Sequence, residues 1–240
     1  LALAAAMLGL TACGSSSGTT DTTAAAGGAP ATEETTAAAA VAEGESVSQD
    51  TDIIGAVNVD FTTLDPLDTS DTLSGGVQRL IMDGLFGFDD DMKIIPMLAT
   101  EYTANEGATE FTIKLREGIT FSDGTPWNAE AAKANFDRWA DKSLGLKRTT
   151  LLCNILDTTT VQDDYTIVVK LSSPFGAFIE TLAHPACVVM SPKVIEQGSQ
   201  ACAEAPVGTG QYTFKEWIQG DHLTVELNKD WWGYDADICG

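Results

Sequence analysis

Few side chains in this sequence could do chemistry, and they are scattered. The two histidines, His184 and His222, lie far apart, and no H-E-x-x-H, C-x-x-C or G-x-S-x-G pattern sets a base, nucleophile or metal ligand beside either. Asp89-Asp90-Asp91 lacks the alternating spacing of a calcium loop and reads as a solvated turn. Gly208-Thr209-Gly210 is too short to cradle a phosphate, and no lysine follows it. What remains points to binding. Lys147-Arg148 puts two cations in one loop of an acidic chain, where an arginine could hold a carboxylate in bidentate fashion; the alternative is a solvated basic turn. Ser70-Asp71-Thr72-Leu73-Ser74-Gly75-Gly76 reads as a polar, glycine-bearing loop suited to hydrogen-bonding a ligand, with Ser70, Asp71, Ser74 and Gly75 as candidate contacts. No residue set requires a cofactor or a metal.

The elements that must position these residues are mixed. Residues 53–60 read as a strand, Thr63-Leu64-Asp65-Pro66 as a turn, and Gly75 to Leu85 as a helix from the spacing of Val77, Leu80, Ile81 and Leu85. Residues 111–115 alternate as a strand. Asp123-Gly124-Thr125-Pro126 is a turn leading to a helix over 129–140, with Asn128 as its N-cap. Residues 165–171 form a further strand and 175–182 a short helix. Residues 212–214 and 223–227 pair as a hairpin around Gln219-Gly220-Asp221. Strands and helices follow no regular βαβ alternation, so the fold class is mixed α/β (α+β). The five tryptophans are assigned mainly to the core.

Composition narrows the partners. The 240 residues carry 13 basic against 35 acidic side chains, a formal charge of −22, which makes nucleic acid and anionic membrane surfaces poor partners. Hydrophobic residues make up 44%, enough for a core. No run of about 18 apolar residues occurs that would span a bilayer.

The opening residues, Leu1 to Leu10, read as the apolar part of a signal peptide without its basic start, and Leu10-Thr11-Ala12-Cys13 resembles the bacterial lipobox. That resemblance implies cleavage before Cys13 and lipidation of its thiol, so residues 1–12 are a partial signal peptide; the alternative is a buried helix with an incidental cysteine. Residues 14–52 hold no Lys, Arg or aromatic residue and read as a flexible tether, giving a lipid-anchored tether over 13–52. The start at Leu1 and the abrupt finish after Trp231-Trp232 read as a sequence cut at both ends. With Cys13 set aside, Cys153, Cys187, Cys202 and Cys239 allow three pairings, and export favours oxidation. The shortest loop predicts a Cys187–Cys202 disulfide, worth about 3 kcal/mol in the chain-entropy picture; the alternative is buried free thiols.

Several segments together resemble family 5 of the bacterial extracellular solute-binding proteins, the peptide, glutathione and nickel binders of ABC importers. These are Thr63-Leu64-Asp65-Pro66, Ile81-Met82-Asp83-Gly84-Leu85-Phe86, the stretch from Phe111 to Glu130, Pro206 to Tyr212, and Asn228 to Gly233. The resemblance implies a type II periplasmic-binding-protein-like fold with two lobes. Residues 53–82 and 189–240 would belong to the first lobe, residues 83–188 would form a smaller inserted domain, and the second lobe would lie beyond this sequence. It implies a monomer that captures a short peptide or similar small solute and delivers it to the permease subunits of an ABC importer, outside the cytoplasm and without catalysis. It brings the Lys147-Arg148 loop toward the ligand cleft and sets His184 and Pro185 at the crossing between lobes; the alternative for His184 is a surface or hinge histidine. The competing functional reading is a secreted hydrolase or peptidase lipoprotein, which needs a nucleophile–base pair or metal site that the sequence does not offer.

Overall fold

Alternation decides the main sheet. In the computed structural model, which describes residues 54–234, strands β1 (Phe86–Phe88) and β2 (Ile94–Pro96) form a small antiparallel pair after helix α1 (Thr72–Ile81). Strands β3 (Ala99–Ala104) and β4 (Glu110–Leu115), helix α2 (Ala129–Ala140), and strands β5 (Leu156–Asp163) and β6 (Thr166–Leu171) follow. The four strands make one antiparallel sheet in the order β3-β4-β6-β5. Phe111, Ile113 and Leu115 alternate with partly or fully exposed residues on β4 and lie on the same face as Ile167, Val169 and Leu171 of β6, all buried, with Ile113 opposite Ile167 in register. Against this sheet α2 buries Ala132, Phe136 and Trp139. Asn128 caps it, its Oδ1 accepting the Ala131 N–H at 2.9 Å. Each fully buried side chain of this size contributes about 1.5–3 kcal/mol.

Helix α3 (Phe178–Leu182) closes the end of this core through Phe178, whose ring lies 4.9 Å from that of Phe111. Short helices α4 (Pro192–Gln197) and α5 (Ser199–Glu204) precede the hairpin β7 (Tyr212–Ile218) and β8 (His222–Leu227). A second apolar cluster joins Ile81, Met82, Val188, Met190, Val194 and Cys202. It is tied to the main sheet by α2: Asn135 accepts the Met190 N–H and donates to the Met190 carbonyl, both at 2.9 Å. Ser191 donates to Asp123 at 2.6 Å, linking the Asp123–Pro126 turn to the start of α4.

Three expectations change. Residues 54–60 form no strand: Val57 and Val59 are exposed, no partner strand takes up their backbone groups, and the segment is held near its end by Gly220 N–H donating to Asp60 at 2.6 Å. The helix predicted over 75–85 begins and ends earlier, because Asp71 caps it and Gly84 and Leu85 turn away toward β1. The Cys187–Cys202 disulfide is not formed. Cys187 packs in the main core and Cys202 in the second cluster, each a buried free thiol, as is Cys153. Loop length says nothing about which core a side chain enters. Cys13, the 14–52 tether and Cys239 lie outside the described residues.

Gly208 and Gly210 are required by proximity and not by a left-handed turn. A Cβ at either position would collide with the backbone of the last turn of α1, and Gly210 N–H donates to the Ile81 carbonyl at 2.9 Å.

Candidate functional site

The predicted Ser70–Gly76 loop is the start of α1. Asp71 Oδ1 accepts the Ser74 N–H at 2.7 Å, and its Oδ2 accepts the hydroxyls of Thr62 and Thr69 at 2.9 and 3.2 Å. Burial pushes the Asp71 carboxyl up, but these bonds outweigh it and hold the group at about 2. Ser74 is buried and its Oγ accepts the Thr62 N–H. Gly75 is buried in the helix, whereas Ser70 is exposed. Asp71 and Ser74 are therefore engaged in capping and anchoring α1, which corrects the reading of this stretch as an open loop.

Lys147 lies 3.9 Å from Asp68 and is half exposed. Arg148 is fixed through its backbone, donating to the Leu67 carbonyl at 2.8 Å, and its charge acts on His184 and Cys187. His184 and Pro185 open a single helical turn, Pro185–Cys187, that packs against α1. His184 Nδ1 accepts the Ala186 N–H at 3.0 Å. Thus the structure brings the 147–148 loop, the 184–187 turn and α1 into one neighbourhood, with Ser70 exposed just before the cap of α1.

His184 and Pro185 line a cleft of about 230 Å³ whose other walls include Arg79, Asp83, Met97 and Trp231. A larger, more open cleft of about 600 Å³ lies across Trp231, lined by Arg116, Thr209, Lys229 and Trp232. The Arg116 guanidinium stacks over the Trp232 ring at 4.9 Å and its Nε donates to the Met97 carbonyl at 2.8 Å. The smaller cleft is the candidate site, because His184 and Pro185 line it; the other expected residues, Ser70, Asp71, Ser74, Gly75, Lys147 and Arg148, do not.

Asp83 is the residue that the sequence reading missed as part of a site. It is 6% exposed, and its Oδ2 accepts from Thr209 Oγ1 at 3.0 Å, Trp231 Nε1 at 3.3 Å and Trp232 Nε1 at 2.7 Å. Burial raises its carboxyl above the usual range against these bonds and the nearby charge of Arg79. A carboxylate inside the apolar run Leu80–Phe86 was the available signal. Arg79 was hidden as one charge on a helical surface.

The chemistry offered is recognition. Burial pushes the Cys187 thiol up to about 12, so although it is three residues from His184 it is no nucleophile. Among the described residues, no group of three or more His, Cys, Asp or Glu side chains is placed to hold a metal ion.

Comparisons with known proteins agree with this character. The family model for the bacterial extracellular solute-binding proteins, family 5 Middle, matches residues 93–238. The chain is 44% identical over 181 residues to the glutathione-binding protein GsiB of Escherichia coli (strain K12), covering 75% of this chain and 35% of that protein. Among solved structures it is similar to AgaA of A. tumefaciens R10 in complex with agropinic acid, with a TM-score of 0.67 and 30% identity over 72% of this chain and 35% of the other. NikA of Brucella suis in complex with Fe(III)-EDTA gives a TM-score of 0.65 and 26% identity, over 73% of this chain and 35% of that one. DppA of Helicobacter pylori with the peptide STSA gives 0.64 and 26%, over 73% of this chain and 38% of that one. The chain thus spans about a third of the length of the relatives it matches. None of these comparisons supports hydrolysis.

Proposed function

The chain belongs to family 5 of the bacterial extracellular solute-binding proteins, and from that premise we propose that it serves as the capture component of an ABC importer. It takes up a short peptide or similar small solute outside the cytoplasm, works without catalysis and hands the solute to the permease subunits. Its mixed α/β architecture is that of part of a type II periplasmic binding protein. On this reading residues 53–82 and 189–240 belong to the first lobe and residues 83–188 to the smaller inserted domain. The protein acts as a monomer, tethered to the membrane by lipid on Cys13.

The observation that carries the proposal is the cleft at His184, Pro185 and Arg79, where an oriented imidazole, a cation and an indole face one small space. Such a mixture of apolar wall and few polar groups suits a small solute. The similarity to glutathione-, peptide- and chelate-bound relatives supports the same class of ligand.

The test is thermal shift and calorimetry on the intact protein against dipeptides, tripeptides, glutathione and nickel chelates, with chromatography of the mixtures. Stabilisation by one class with the solute recovered unchanged is expected. Product formation, or no stabilisation across the panel, would overturn the reading. The anchor is tested separately: Cys13→Ala should move the protein from the membrane fraction to the soluble one, and unchanged partitioning would refute lipidation there.

A further inference from the structure

Arg79 and His184, from different elements, line the smaller cleft together with Asp83 and Gln211. Arg79 lies in the last turn of α1; its side chain is exposed and has no ion-pair or hydrogen-bond partner among the described residues. His184 comes from the turn after α3, and its Nδ1 accepts the Ala186 N–H at 3.0 Å. A neutral imidazole carries one acceptor nitrogen and one donor. The backbone bond therefore fixes the tautomer with the proton on Nε2. Burial, aided by the positive charge of Arg148, lowers the His184 pKa from its ordinary value, which favours the neutral ring that this backbone bond requires. One bond thus holds the ring in place and leaves Nε2–H as its remaining polar atom, on a residue that lines the cleft.

Asp83 shares this cleft and feels the charge of Arg79, but the two make no ion pair. Its Oδ2 is engaged by Thr209, Trp231 and Trp232, and no carboxylate oxygen lies within ion-pair distance of the guanidinium. Met82, Met97, Val188 and Trp231 supply apolar walls. At about 230 Å³, the space is below the roughly 300–1,000 Å³ of a whole-ligand pocket, so it takes one end of a solute.

We infer that this cleft is a carboxylate subsite, in which the Arg79 guanidinium supplies the charge, His184 Nε2–H the oriented hydrogen bond, and the Met, Val and Trp walls cover the adjoining apolar segment. The inference rests on the capture reading above and narrows it: the solute presents a free carboxylate beside an apolar portion. Guanidinium and N–H donors together suit a planar anion better than a point charge would.

The two-histidine composition supplies an internal control, because His222 is exposed on β8 and away from this cleft. The intact protein, labelled with ¹⁵N, is titrated with glutathione and with trialanine, and with the same two peptides esterified at every carboxyl, with heats measured in parallel. The free protein should show His184 as the Nε2–H tautomer. The acids should shift the His184 resonances and leave His222 in place, and the esters should bind about tenfold or more weakly, as expected for loss of a charge-assisted hydrogen bond. Arg79→Gln, at an exposed position that folding tolerates, should bring the acids to the affinity of the esters. An Nδ1–H tautomer, or an Arg79→Gln protein that keeps its preference for acid over ester, overturns the carboxylate subsite and leaves solute capture standing. Absence of heat and of any shift with all four probes overturns both.

Discussion

Asp65 and Arg138 meet at 2.5 Å between Oδ2 and Nη2, with side chains only 1% and 8% exposed. The pair joins the Thr63–Pro66 turn to the last turn of α2. Asp65 Oδ1 also accepts the Leu67 N–H at 3.0 Å, and the Thr63 carbonyl accepts from Gln78 of α1 at 3.2 Å. The entering turn is therefore registered against two helices, by the Asp65 carboxylate on α2 and by the Thr63 carbonyl on α1. Removing a single partner strands a buried charge. Arg138→Met should destabilise the fold by about 3–5 kcal/mol, and Asp65→Leu with Arg138→Met should recover most of that loss. Denaturant titration of the two singles and the double decides it; additive losses would mean the two groups are not coupled.

Asp71 makes stability depend on pH. Its folded carboxyl sits at about 2, below its ordinary value of 3.8, so it contributes stability above the ordinary value that is lost as pH falls toward 2. Asp71→Asn keeps an acceptor for the Ser74 N–H and should flatten that part of the acid-unfolding curve. Asp71→Ala removes the cap itself and should cost about 1 kcal/mol at neutral pH. Stability measured from pH 5 downward in the three proteins separates charge from cap.

Asp83 titrates in the opposite sense. Its carboxyl is raised by burial, so the folded state holds a proton more readily than the unfolded chain, and its contribution falls as pH rises above the ordinary 3.8. Asp83→Asn should remove this decline. Asp83→Ala withdraws the acceptor from Thr209, Trp231 and Trp232 and should cost about 2 kcal/mol or more, with a red shift of the indole emission as the pair loosens. Unchanged emission would count against the three-donor arrangement.

The cysteines give a direct chemical check. Cys153, Cys187 and Cys202 are free and buried, so a thiol reagent should leave them untouched in the native state and label all three after denaturation without reductant. Labelling of Cys187 and Cys202 only after reduction would restore the disulfide.

How much was legible in advance depended on how local each signal was. The α2 helix was readable to its ends because Asn128 is a cap and the alanines, Phe136 and Trp139 keep helical spacing. Strands β4 and β6 were readable from alternation. Strand β5 was not. Its polar run Asp157 to Thr160 and exposed Gln162 offer little apolar pattern, and it exists because β6 presents an edge to it. The segment 54–60 has strand composition but no neighbour to pair with. Of the residues lining the smaller cleft, His184 and Pro185 stand out in the sequence through their resemblance to a family position. Arg79 and Asp83 do not, since only the fold reveals that the end of α1 faces the 184–187 turn. Asp71 and Ser74 looked like ligand groups because capping chemistry and binding chemistry use the same side chains.

Trp231 is a party wall. Its indole borders the small cleft on one side and the large one on the other, and its N–H is moored to Asp83. In the opposite chamber Arg116 rests on Trp232. The two chambers therefore share one partition, and neither can be reshaped by mutation at Trp231 without altering its neighbour.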